Sequence, residues 1–117
     1  MVIYNNPPEM IRNAATSFLD SDSNVQLTIV DNSPTSVLHS TFRDLAVEYH
    51  FYDENVGYGR GHNWAIQRVQ NSKYHLILNP DIIVNSATIK SLINFMDKNS
   101  DIGMICPKVL NEDSSIQ

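Results

Sequence analysis

Apolar residues fall into short runs separated by dense polar turns, and the period changes from run to run. Ile11, Ala14, Ala15, Phe18 and Leu19 stand at i, i+3, i+4, i+7 and i+8 behind Pro8, so the spacing predicts a helix with one buried stripe. Residues 25–30 are rich in β-branched side chains and stop at Asp31-Asn32-Ser33-Pro34-Thr35, which reads as a strand running into a turn. A further strand is expected at residues 47–51, a helix at 62–70 through Trp64, Ala65, Ile66 and Val69, and a covered strand at Tyr74-His75-Leu76-Ile77-Leu78. Ser86 is placed to cap a helix with the stripe Ile89, Leu92, Ile93 and Met96, and Asp101-Ile102-Gly103 opens a last apolar run that ends at Pro107. Met1-Val2-Ile3-Tyr4 has the look of a strand's tail. This alternation predicts an α/β fold, a three-layer sandwich with a mostly parallel sheet and right-handed crossovers.

Composition narrows the class without naming it. A chain of 117 residues with 42% hydrophobic content is one domain, residues 1–117, large enough to bury a core. The formal charge of -5 and the absence of any Lys/Arg cluster argue against a nucleic-acid partner. Cys106 is the only cysteine, which excludes an intrachain disulfide and a cysteine-based zinc site and fits a reducing cytoplasm. Its apolar neighbours predict a small buried filler rather than a nucleophile. No apolar stretch approaches a membrane span, and the amino-terminus lacks the pattern of a signal peptide.

Candidate chemistry collects where the strands end. Asp31-Asn32-Ser33, residues 53–63 and Asn79-Pro80-Asp81 each follow a predicted strand, and Tyr4-Asn5 ends the first. In a parallel sheet these ends share one edge, where ligands bind. Each cluster alone is a sufficient turn, but a turn has no need of a carboxylate on that edge in two places. Asp81 suits a hard divalent cation, Mg²⁺ or Mn²⁺, which takes one or two protein carboxylates and completes its shell with water and phosphate oxygens. Asp31 is then free to accept hydrogen bonds from a base or sugar. The glycines of residues 55–63 suit close approach to an anion, but they are spaced G-x-G-x-G after the third strand, which is neither the dinucleotide fingerprint nor a Walker loop. Of His39, His50, His62 and His75 none has metal-ligand spacing, and only His62 has site-like neighbours. Asp20, Asp22, Glu112 and Asp113 lie in polar turns or the tail and read as solvated.

In order, these clusters resemble the inverting glycosyltransferases of family 2, with the GT-A (Rossmann-like, nucleotide-diphospho-sugar transferase) fold, and especially the bacterial rhamnosyltransferase-like branch. Tyr4-Asn5 is similar to the end of the family's V-x-Y-N motif, and Val30-Asp31-Asn32-Ser33 to its V-D-N-x-S. Asn55-Val56-Gly57-Tyr58-Gly59-Arg60-Gly61-His62-Asn63 resembles N-x-G-[FY]-[GA]-x-[GA]-x-N, and Leu78-Asn79-Pro80-Asp81 the L-N-P-D form of DxD. The resemblance implies that Tyr4, Asn5, Asp31, Asn55, Gly57, His62, Asn63, Asn79 and Asp81 bind a UDP- or dTDP-linked sugar, with Asp81 holding the metal on the diphosphate. Asn79 stands where many relatives have the first Asp of DxD, so by the resemblance it can still hydrogen-bond the ribose but adds no negative charge. The acceptor would be a glycan or lipid-linked sugar in polysaccharide biosynthesis, and the location cytoplasmic or peripheral at the inner face of the membrane. No residue matches the family's catalytic base, so the resemblance implies a truncated, amino-terminal donor-binding portion without its acceptor-binding half. Two other readings stand beside it: a non-catalytic module that keeps the fold, and a nucleotidyltransferase, which would want a glycine-rich loop with a basic residue where Asn5-Asn6-Pro7-Pro8 stands.

Overall fold

The computed structural model describes residues 1–69, 71–111 and 113–117. Gln70, the expected end of the second helix, and Glu112 lie outside the described residues. The elements are β1 (Val2–Ile3), α1 (Pro8–Leu19), β2 (Leu27–Asp31), a 3-10 helix (Ser36–Phe42), β3 (Val47–Phe51), α2 (Tyr58–Ile66) and α3 (Thr88–Lys98). The strands form one parallel sheet in the order β1-β2-β3, with Ile3 opposite Asp31 and Asp31 opposite Phe51. That register brings Tyr4, Asn32 and Tyr52 out together at one edge.

Alternation along the strands separates two cores, because successive side chains point to opposite faces. Ile3, Leu27 and Ile29 face the stripe Ile11, Ala14, Ala15 and Phe18 of α1, together with Leu38, Phe42, Leu78 and Ile89. Val2 and Val30 face the other way, onto Ala65 of α2. Helix α2 lies very close to the sheet: a Cβ on Gly61 would stand 2.9 Å from a methyl carbon of Val2. Trp64 packs against this second core and stacks on His50 of β3 at 3.8 Å between ring centroids, and the Arg68 guanidinium lies 4.1 Å from the Trp64 ring. No helix among the described residues is long and apolar enough to cross a membrane.

The first helix has the predicted stripe and starts at Pro8, whose missing N–H costs a first turn nothing. Other elements differ from expectation. Helix α2 begins at Tyr58, four residues before His62, because Gly57 turns the chain at φ 82 and Gly59 and Gly61 then continue as helix. Three glycines in five residues weigh against a helix by propensity, and tertiary packing overrides them. Helix α3 starts at Thr88 with Ala87 at its cap; the Asn85 side chain, not Ser86, accepts from the Ala87 N–H at 3.1 Å.

The expected fourth strand is not in the sheet. Residues 74–78 run without ladder bonds, with Leu78 buried and Ile77 exposed. The row they would join is only the two residues Val2–Ile3 long. A cavity of about 890 Å³, bordered by Met1, Leu27, Ala65, Leu76 and Ile89, separates them from the sheet. The last apolar run is not a strand either, so Cys106 is exposed rather than buried.

Candidate donor site

Four loops meet beyond the ends of the strands and enclose a cleft of about 350 Å³. Tyr4 and Asn6 come from the loop after β1, Asn32 from the turn after β2, Asn55, Gly57 and Tyr58 from the turn before α2, and Pro80 from the Asn79-Pro80-Asp81 turn. Among the described residues no Lys or Arg lines it. The last of these turns is closed by the Ile82 N–H on the Asn79 carbonyl at 3.4 Å. It is tied to α1 by the Val84 N–H on Ser17 Oγ at 3.0 Å.

Beneath the cleft a chain of hydrogen bonds fixes the first two loops. Asn5, held at φ 51, donates its N–H to Ser33 Oγ at 2.9 Å. Ser33 in turn donates its N–H to Asp31 Oδ1 at 2.8 Å, and the Tyr49 hydroxyl donates to Asp31 Oδ2. Burial, and then the bond to the Asp31 carboxylate and its charge, push the Tyr49 phenol far up, so it stays a donor at all ordinary pH. Asp31 is completely buried and both its oxygens are engaged.

A family model described as Glycosyl transferase family 2 matches residues 1–115. The chain belongs to that family. No curated protein and no solved structure matches it. Membership agrees with a parallel α/β unit of the GT-A nucleotide-sugar transferase kind and points to sugar transfer from a nucleotide-sugar donor to an acceptor.

The family 2 motifs are therefore the ones to locate, and the structure gathers some and parts others. Tyr4, Asn55 and Gly57 line the cleft, and Asn79 reaches it through Tyr58, whose hydroxyl donates to Asn79 Oδ1 at 2.6 Å. Asp81 is exposed at the lip, and its charge, after burial, raises the Tyr58 phenol. Among the described residues no three His, Cys, Asp or Glu side chains converge on a point. Asn63 is exposed on α2 outside the cleft lining. His62 is buried under Tyr58, ring centroids 4.5 Å apart, and borders the large apolar cavity rather than the cleft. Burial, with a smaller contribution from the positive amino-terminus, lowers its pKa to about 4, so the imidazole is neutral; its Nε2 has no partner among the described residues.

Two residues that the sequence placed within its polar clusters but did not single out line this cleft. Asn32 is 2% exposed, donates Nδ2 to the Gly57 carbonyl at 3.3 Å, and leaves Oδ1 without a partner among the described residues. An unpaired buried acceptor costs about 1–3 kcal/mol, so a ligand donor there recovers free energy. The signal that finds it is parity: Leu27, Ile29 and Asp31 share the face toward α1, and Asn32 turns to the face of α2 and the cleft. Tyr58 is the other, read at first as one position of a glycine-rich loop.

Proposed function

We propose that the cleft binds the nucleoside diphosphate of a UDP- or dTDP-linked sugar, and that this chain is the donor-binding portion of a transferase. The orphaned Asn32 Oδ1 carries the reading, because it needs an N–H donor such as a pyrimidine base supplies. Tyr4 and Asn55 flank that point, and Asp31 acts through Ser33 and Tyr49 by holding the loops in register. Asn5 and Gly57 shape the loop backbones around the nucleotide, His62 supports Tyr58 from behind, and Asn63, exposed on α2, would meet the donor only from outside the cleft lining.

Asp81 would hold Mg²⁺ or Mn²⁺. A lone exposed carboxylate on the lip fits a cation that takes most of its ligands from water and phosphate. When bound, the metal supplies positive charge for the departing diphosphate. The sugar would pass with inversion to a glycan or lipid-linked acceptor in bacterial polysaccharide synthesis, as in the rhamnosyltransferase-like branch. The acceptor half and the general base would lie outside this chain, and the whole protein would work in the cytoplasm or at the inner membrane face.

Calorimetric titration with UDP and dTDP tests the reading. Binding strengthened by Mn²⁺ in the wild type, and insensitive to Mn²⁺ in Asp81→Ala, is expected. The same metal dependence in both proteins would remove Asp81 from the site.

A further inference from the structure

We infer that Tyr58 is a positioning residue that orients the Asn79 side chain so that its NH₂ group, and not its carbonyl oxygen, faces a phosphate oxygen of the donor. The inference rests on the donor-binding reading above. Tyr58 is the first residue of α2, directed by the turn at Gly57, and its ring rests edge-on against the buried His62. From there its hydroxyl spans the cleft to Asn79 Oδ1 at 2.6 Å. A primary amide has an acceptor side and a donor side, and occupying the acceptor side from α2 turns the two N–H donors the other way.

Charge makes that orientation consequential. The chain carries a formal net charge of -5, no cation lines the cleft, and Asp81 adds a negative charge at its lip. A diphosphate entering there meets no side-chain cation, so neutral N–H donors must face its oxygens wherever the metal does not. An N–H on an anionic oxygen is a stronger bond than one between neutral partners. An Asp at position 79 would offer that oxygen only like charge. With a Phe at position 58 the amide is free to turn its own oxygen toward the phosphate. Tyr58 and Asn79 thus form one unit, in which the hydroxyl has no contact with the donor and acts through the amide.

The test compares the wild type with Tyr58→Phe and Asn79→Asp by heteronuclear NMR titration, which reads affinities into the millimolar range. The probes are UDP and dTDP, each beside its parent nucleoside, in chelator and in Mn²⁺. Tyr58→Phe is expected to weaken the diphosphate about three- to tenfold, the scale of one hydrogen bond, and to leave the nucleoside unchanged. Asn79→Asp is expected to lose more diphosphate affinity in chelator than in Mn²⁺. Without ligand, the Asn79 side-chain NH₂ resonances should move in Tyr58→Phe. Equal weakening of nucleoside and diphosphate, no weakening at all, or unmoved NH₂ resonances would overturn the assignment. A wild type that binds neither diphosphate would instead overturn the donor-binding reading itself.

Discussion

Residues 1–66 and 71–111 have similar apolar patterning and opposite outcomes. In the first region every strand is paired and even the strand ends are bonded, Asn32 N–H to the Ile3 carbonyl and Tyr52 N–H to the Asp31 carbonyl, each at 2.9 Å. In the second, Leu76, Ile77, Ile83, Phe95 and Met104 are exposed; Leu78 and Ile89 in the core, the Val84–Ser17 bond and the Tyr58–Asn79 bond tie it to the first, while Lys73 and Tyr74 on Asp97 tie it only to itself. An apolar run states what its side chains need. A strand also needs a neighbouring row of backbone groups, and only the first region supplies one.

The contrast is broken most directly by truncating one isoleucine in each region. Ile11→Ala, which empties a fully buried site in α1, should cost about 2–5 kcal/mol in urea denaturation. Ile77→Ala, at a side chain 55% exposed, should stay within about 0.5 kcal/mol. Comparable losses at the two positions would mean that residues 74–78 are as tightly packed as the sheet. Next in size is Tyr49→Phe, which strips a donor from the buried Asp31 carboxylate and should cost about 1–3 kcal/mol in the same assay. It should also loosen the loops after β1 and β2, visible as faster amide exchange at Asn5 and Ser33.

A pH-dependent effect sharpens the boundary between the regions, where His62 lies. Its imidazole is neutral in the fold, with a pKa near 4 against 6.5 in the ordinary state, so the unfolded chain takes up the proton first as pH falls. Stability from this group is complete above about pH 6.5 and is lost on descending to about 4, at a slope of at most about 1.4 kcal/mol per pH unit. Urea midpoints measured between pH 7 and 4 should fall less steeply in His62→Gln; parallel curves would show that His62 is solvated in both states.

Sequence reasoning reached the parallel α/β class, the α1 stripe and the polar strand ends because each is written in local period and turn chemistry. It missed where α2 begins, since Gly57, Gly59 and Gly61 argue against helix unless the sheet beneath them is known. It extended the sheet too far, since nothing in Leu76 or Ile77 says whether a partner row is present. At the site, Asp31 drew attention as the charged member of Asp31-Asn32-Ser33, yet strand parity gives the buried network to Asp31 and the cleft to Asn32. Charge is conspicuous in a sequence, whereas the face a residue occupies follows only from register.

The stack of Trp64 on His50 makes the molecule its own optical probe. Trp64 is the only tryptophan, so all indole emission comes from the helix whose first residue, Tyr58, reaches across the cleft. A protonated imidazole in ring contact quenches indole light strongly and a neutral one weakly. Burial and the nearby Arg68 hold the His50 pKa below its ordinary value, so emission should dim at lower pH than an exposed imidazole would cause. At neutral pH, any ligand that shifts α2 along β3 changes the overlap of the two rings, and the brightness of one residue reports it without a label.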